Sequence, residues 1–295
     1  MILCLDIGNT QVYGGVFEGD RSLVQFRRTS QAQSSSDEMG VFFRAVLREN
    51  QIDPDDLTEV GVCCVVPDLL YSLRACCQKY FGLEPLVLKP GIKTGLQIRY
   101  RDPREVGADR IADAVGAISL FPDRNLIVAD FGTATTVCAI TKDKEFLGGN
   151  ILPGMRLSME ALESKTAQLP SVEILPVSTA VGRSTVESIQ AGLYWSTVGT
   201  IRELVNRITV EVFDGDRPMV IGTGGFAQLI NREGMFDAVV PDLILTGMRE
   251  VLKLVGTKWN IGTYYPGFGS GGYCIPLSSQ YVTEGVKDVN KLTLL

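Results

Sequence analysis

An α/β fold built from two related halves is predicted by three observations on the sequence. The segment Leu5-Asp6-Ile7-Gly8-Asn9-Thr10 recurs in altered form as Ala129-Asp130-Phe131-Gly132-Thr133-Ala134, each copy between two apolar runs, which is the pattern of a strand, a turn and a second strand. Short apolar runs alternate along the chain with stretches of helical period, as in sheets flanked by helices. Aligning Asp6 with Asp130 also aligns Gly8 with Gly132, Val12 with Thr136 and Val16 with Ile140, a weak internal repeat.

Residues 2–7, 11–17 and 23–28 are expected to form a strand meander, with turns at Gly8-Asn9 and at Glu18-Gly19-Asp20. Ser36 offers an N-cap to a helix with Asp37 and Glu38 in its first turn and Val41, Phe42, Ala45 and Val46 at helical spacing. The apolar run 59–66 reads as a strand buried on both faces and stopped by Pro67, followed by a helix over about 68–80. A third unit is expected, with strands near 85–88 and 95–100 and then a helix through Ile111, Ala114, Val115 and Ile118.

Near residue 125 the scheme restarts with strands at 126–131, 135–141 and about 145–149, then a helix from about 155. Residues 184–213 carry a long helical pattern, and Met219–Ile221 reads as a buried strand running into Gly222-Thr223-Gly224-Gly225. A helix over 241–255 would hold Pro241 in its first turn, a position that tolerates proline. The expected division is therefore 1–115, 116–256 and a tail at 257–295, where glycines and aromatics lose all periodicity.

The 295 residues, 45% hydrophobic and 21% charged, suffice for one large core or two ordinary ones. A formal charge of -6 and the absence of any basic run argue against nucleic acid as a partner, because phosphate backbones are bound by clustered Lys and Arg. No apolar stretch approaches the ~18 residues of a membrane span, and a strand expected from residue 2 leaves no room before it for a secretory leader. A cytoplasmic, membrane-free protein is expected. The seven cysteines include the adjacent pairs Cys63-Cys64 and Cys76-Cys77, which lack the C-x-x-C spacing of zinc sites and read as reduced, buried hydrophobes. The chain has no histidine, which removes Ser-His and Cys-His nucleophile pairs and any imidazole shuttle. A general base must then be a carboxylate before it is Lys, Cys or Tyr.

An Asp at a strand end can hold a hydrated metal ion, and a glycine behind it lets backbone N–H groups approach phosphate oxygens. Each Asp-x-Gly turn alone is compatible with an ordinary hairpin, but its repetition favours phosphate binding, with hydroxyls at Thr10, Thr133 and Thr135 as further donors. There is no P-loop. Gly107-Ala108-Asp109-Arg110 is expected to open a helix, which sets Asp109 in the first turn. There it is either a residue favoured by the helix dipole or the acceptor for a substrate hydroxyl proton, with Arg110 able to bind an anion in bidentate fashion. Gly148-Gly149-Asn150-Ile151-Leu152-Pro153-Gly154 fits either a turn into a helix or a wall where ligand meets backbone. Gly222 to Phe226 fits either a nucleotide-facing turn or a close strand-to-helix turn.

Taken in order, Asp6-x-Gly8-Asn9-Thr10, Gly107-x-Asp109-Arg110, Asp130-x-Gly132-Thr133-Ala134 and Gly148-Gly149-x-Ile151-x-Pro153-Gly154 resemble the motif set of the type III pantothenate kinases. That family belongs to the acetate and sugar kinase, Hsc70 and actin superfamily. The resemblance spans residues 1 to about 256 and implies two ribonuclease-H-like halves, each a mixed sheet flanked by helices, around an ATP cleft. It implies ATP-dependent phosphorylation of pantothenate, the first step of coenzyme A biosynthesis, with Mg2+ accompanying ATP and K+ or NH4+ as a further cation. By the same resemblance Asp6, Ile7, Gly8, Asn9, Thr10, Gln11, Val12, Tyr13 and Thr133 bind ATP. Asp109 is the base, Tyr100, Gly107, Ala108, Asp109 and Arg110 hold pantothenate, and Asp130 ligates the monovalent cation. Thr185 matches a pantothenate contact supplied across a homodimer interface. The alternatives are a related sugar kinase or polyphosphate-hydrolysing enzyme and a non-catalytic nucleotide-binding regulator. The tail beyond 256 matches no motif.

Overall fold

The structure, a computed structural model, describes residues 1–31, 33–89 and 91–256. The expectation for 257–295 lies outside the described residues. Strands β1 (Ile2–Ile7), β2 (Gln11–Glu18) and β3 (Arg21–Thr29) form the meander, followed by helix α1 (Ser36–Glu49), β4 (Glu59–Cys64), α2 (Pro67–Phe81) and β5 (Leu86–Val87). After β6 (Gln97–Ile98) and helix α3 (Ala108–Leu120), the pattern repeats as β7 (Leu126–Phe131), β8 (Ala134–Ile140), β9 (Glu145–Pro153) and helix α4 (Met155–Lys165). Helix α5 (Thr185–Phe213), β10 (Met219–Gly224), α6 (Ala227–Ile230), β11 (Ala238–Val239) and α7 (Leu243–Gly256) complete the described chain.

The two sheets have the same strand order. The first runs β3-β2-β1-β4-β5, and the second runs β9-β8-β7-β10-β11 with β6 added outside β9. In each, the central strand pairs antiparallel with the next strand and parallel with a later one, β4 or β10. This is the paired mixed-sheet α/β architecture expected. The internal alignment, however, slips by one residue after the turn. Ile7 faces Val12 whereas Phe131 faces Thr135, so the partners of Val12 and Val16 are Thr135 and Ala139 rather than Thr136 and Ile140. The turn between β7 and β8 is one residue shorter, and strand pairing follows the turn rather than a gapless alignment.

Local signals account for most elements. Ser35, not Ser36, caps α1: its side chain accepts from the Glu38 N–H while Glu38 accepts from the Ser35 N–H, a reciprocal capping box. Pro67 occupies the first turn of α2 and Gly82 ends it in the left-handed conformation. Helix α7 begins at Leu243, so Pro241 precedes it. The strand expected over 95–100 shrinks to β6, which pairs with β9 in the second sheet and so leaves the unit in which the sequence had grouped it. Strand β9 extends to Pro153, so Gly148 to Ile151 lie within a strand rather than in a turn. Gly149 lies opposite Cys138 there, and a Cβ would collide with the Val137 backbone carbonyl.

The first core packs Leu3, Leu5 and Ile7 of β1 with Phe43 and Leu47 of α1 and Leu73 of α2. On the opposite face, Gly15, Cys4 and Gly61 lie side by side across β2, β1 and β4. Their small side chains admit α7, whose Leu245 and Leu252 approach the Gly15 and Gly61 backbones. Helix α3 crosses α7 at Gly116 and Gly247, where a Cβ on either would strike the other helix's backbone. The second core gathers Ile127, Phe131, Val137, Tyr194, Val198 and Ile201. Among the described residues, no helix is long and apolar enough to cross a membrane.

Candidate active site

The duplicated turns meet. The Thr10 and Thr133 hydroxyls, 123 residues apart in sequence, lie 2.7 Å from each other. Asp6 and Asp130 are the penultimate residues of β1 and β7, each at the centre of its sheet. The Gly8 N–H donates to the Gln11 carbonyl at 3.0 Å and closes the first turn. The Gly154 N–H donates to the Thr133 carbonyl at 3.1 Å and ties the start of α4 to the second. A Cβ on Gly154 would collide with the Gly132 and Thr133 carbonyls, so the end of the Gly148 to Gly154 motif packs directly against the second turn. Gly224 has φ +83°, and a Cβ there would strike the Asp130 carboxylate. The Gly222 to Gly225 segment therefore serves as a tight turn beside Asp130, and the helix after it, α6, has only four residues.

Helix α3 supplies the third element. Asp109 sits in its first turn, and its Oδ1 accepts from the Arg110 N–H at 2.8 Å. Gly107 caps the helix, and a Cβ there would collide with the Asp109 carboxylate. Four residues on, Asp113 lies on the same face of α3, 5% exposed, with no partner for its Oδ1 among the described residues. The carboxylates converge. Burial, then Asp109 and Asp130, push Asp6 up to about 8. Burial and Asp109 push Asp130 up to about 7, with Arg27 opposing both shifts. Burial together with Asp130, Asp109 and Asp6 raises Asp113 well above the usual carboxylate range.

This crowding has a measurable consequence for the empty protein. In the unfolded chain Asp6 and Asp130 titrate near 3.8, so above that pH the folded state binds more protons than the unfolded one. Stability therefore falls as pH rises from about 4 towards about 8. Asp6→Asn should raise the thermal midpoint over wild type by a margin that grows between pH 5 and pH 8.5. A margin independent of pH would refute the coupling.

The other sequence candidates take varied places. Ile7 and Val12 are core side chains, so only their backbones can face a nucleotide, whereas Asn9, Thr10, Gln11 and Thr133 are exposed. The Tyr13 hydroxyl donates to Gln25 at 2.7 Å and Gln25 donates to Asp242 at 2.8 Å, while the Arg27 guanidinium stacks 3.8 Å above the Tyr13 ring. Ala108 is buried. Tyr100 is half-buried, with Arg110 5.7 Å from its ring centre. Thr185 is exposed at the start of α5, on an open, largely apolar groove of about 840 Å³ between α4 and α5. Among the described residues, no hydrogen bond or ion pair joins it to Asp6, Asp109, Arg110 or Asp130. The sequence reading missed Asp113 and Cys138. Helical spacing from Asp109 marks Asp113, but nothing local marks Cys138.

No three acidic or cysteine side chains among the described residues form a ready-made metal cage. Mg2+ is usually held by one or two carboxylates together with substrate phosphates. Converging carboxylates with an orphaned buried oxygen fit such a cation, whose charge would relieve their repulsion.

Comparison with known proteins agrees with this geometry. The family model described as type III pantothenate kinase matches residues 2–207. A type III pantothenate kinase of Legionella pneumophila (strain Corby) is 54% identical over 249 residues, covering 84% of this chain and 97% of the relative. Its counterpart in Elusimicrobium minutum is 49% identical over 253 residues, covering 86% and 98%. Two solved structures share the fold. One, described as a Baf family transcriptional activator from Campylobacter jejuni, aligns at TM-score 0.53 and 20% identity over 85% of this chain and 98% of its own. The other, described as a 2-dehydro-3-deoxygalactonokinase from Sinorhizobium meliloti, aligns at TM-score 0.53 and 13% identity over 89% and 98%. Given the match of the family model and the extent and identity of these relatives, the chain belongs to the type III pantothenate kinases.

Proposed function

We propose that this cleft transfers the γ-phosphoryl group of ATP to the primary hydroxyl of pantothenate, yielding 4'-phosphopantothenate and ADP at the entry to coenzyme A biosynthesis. The observation that carries the site assignment is the meeting of the two Asp-x-Gly turns at Thr10 and Thr133 beside Asp109. Residues 1–115 and 116–256 are taken as the two walls of the cleft. Backbone N–H groups from Asp6 to Tyr13, with the Thr10 and Thr133 hydroxyls, hold the triphosphate and aim its γ-phosphorus.

Asp109 accepts the proton of the pantothenate hydroxyl as that oxygen bonds to the γ-phosphorus and the bond to the ADP oxygen breaks. The acquired proton then passes to solvent. A modest base suffices, because phosphoryl transfer depends more on positioning and charge neutralisation than on strong deprotonation. Mg2+ at the phosphates and K+ or NH4+ at Asp130 would supply positive charge that this carboxylate-rich cleft lacks. Asp6 would hold the hydrated Mg2+, and Asp130 would hold the monovalent cation. Tyr100, Gly107, Ala108 and Arg110 hold pantothenate.

A homodimer is part of the reading: Thr185, exposed beside the apolar groove, would reach the pantothenate of a second protomer. The cytoplasm is the proposed compartment, supported by six described cysteines that are all free. The test is ADP release with MgATP, with and without pantothenate and with and without KCl. Pantothenate should stimulate release by roughly tenfold or more, and omission of K+ or NH4+ should abolish most of that gain. Release indifferent to pantothenate would overturn the kinase reading, whereas release indifferent to K+ would overturn only the role of Asp130.

A further inference from the structure

Arg110 is held in a way that the reaction above does not explain. Its side chain is 6% exposed. Among the described residues it forms no ion pair. Its Nε instead donates to the Cys138 sulfur at 3.3 Å. The guanidinium carbon stands 5.3 Å from the ring centre of Phe146 and 5.7 Å from that of Tyr100. Nη2 is buried without a hydrogen-bond partner among the described residues, and the Tyr100 side chain joins Cys138 in acting on the guanidinium.

Three elements of the second sheet converge on this one group. Cys138 lies on β8, Phe146 on β9 and Tyr100 just beyond β6. Gly148, at φ +122°, leaves the Tyr100 ring its place, since a Cβ there would stand 3.2 Å from the ring edge. Rings that face a guanidinium hold its plane but allow it to rotate within that plane. A directional bond to Nε stops that rotation and so decides where Nη2 points. A buried guanidinium N–H without a protein partner is a place for an acceptor that arrives with ligand. A carboxylate is the acceptor that matches it best.

We infer that Cys138 is a positioning residue, its sulfur orienting the Arg110 guanidinium so that Nη2 is directed at the carboxylate of the bound acid substrate. The inference rests on the reading of Arg110 as a pantothenate contact. Cys138 touches no reacting atom. It acts only through Arg110, so its removal should weaken binding of the acid substrate and leave ATP binding untouched.

The experiment compares wild type with Cys138→Val, which is apolar and slightly larger and loses the acceptor, and with Cys138→Ser, which retains an acceptor. Steady-state ADP release is measured against pantothenate, against ATP, and against pantothenol, which lacks the carboxylate. Loss of a hydrogen bond to a charged group should raise the pantothenate KM of Cys138→Val about tenfold, with its ATP KM and its pantothenol KM within about twofold of wild type. Cys138→Ser should restore the pantothenate KM to within about threefold. An unchanged pantothenate KM in Cys138→Val overturns the inference, as does a parallel rise in the ATP or pantothenol KM or a failure of Ser to rescue. Wild type that releases no ADP in response to pantothenate would instead overturn the kinase reading itself.

Discussion

Asp109→Asn should lower kcat by about two orders of magnitude or more and leave ATP affinity nearly unchanged. The substitution preserves shape, and an amide oxygen can still accept from the Arg110 N–H, as Oδ1 now does at 2.8 Å. It removes the only property that the proposed chemistry needs, a carboxylate able to take a hydroxyl proton. A hundredfold loss corresponds to about 2.7 kcal/mol of transition-state stabilisation, within the usual range for a general base. Asp109 also contributes to the raised values of Asp6, Asp113 and Asp130, so its neutralisation eases the crowding among them. The variant should therefore be no less stable than wild type. Single-turnover ADP formation and an independent ATP-binding titration test the assignment together. Turnover near the wild-type rate would remove Asp109 as the base.

Gly247→Ala destabilises the protein by about 3 kcal/mol or more, although alanine is ordinarily the better helix residue. Helix α7 meets α3 backbone to backbone: the added Cβ would collide with the Ala112 carbonyl, and a Cβ on Gly116 would in turn strike the Leu243 carbonyl. Backbone cannot rotate away as a side chain can, so the helices must separate, and packing on both sides is lost. At roughly 3 °C per kcal/mol for a chain of this size, the thermal midpoint should drop by about 10 °C. Gly199→Ala on α5 is the control, since nothing lies within 4 Å of the Cβ position there. It should be neutral or stabilising by up to ~1 kcal/mol. Equal midpoints for the two variants would show that the α3–α7 crossing tolerates separation.

Much of the site was legible because its signals are local. The Asp-x-Gly turns announce themselves by residue type and repetition. Asp109 was found as a carboxylate near a helix start in a chain without histidine. Boundaries set by turn chemistry also came close, as with Ser35 against the expected Ser36. Where the reading went astray, a partner distant in sequence decided the outcome. Strand β6 joined the second sheet because its free edge met β9. The Gly148-Gly149 pair fitted either a turn or a wall for ligand, yet it lies within a strand, where the Val137 carbonyl excludes a Cβ at 149 and φ +122° favours glycine at 148. The internal alignment slipped at Val12 because a turn shorter by one residue resets every pair after it.

The sequence by itself determined that two similar strand–turn–strand units carry aspartates, that a chain without histidine offers a carboxylate first as a candidate base, and that Asp109 stands in the first turn of a helix. Those features depend on residue type and on spacing within a few turns of chain. Only the tertiary structure decided that Thr10 touches Thr133, that the Asp113 Oδ1 is buried without a partner among the described residues, and that Arg110 leans on the Cys138 sulfur. Those contacts span up to 123 residues of chain. They exist because two sheets and two glycine-notched helices close to within van der Waals distance, a requirement that local sequence patterns do not encode.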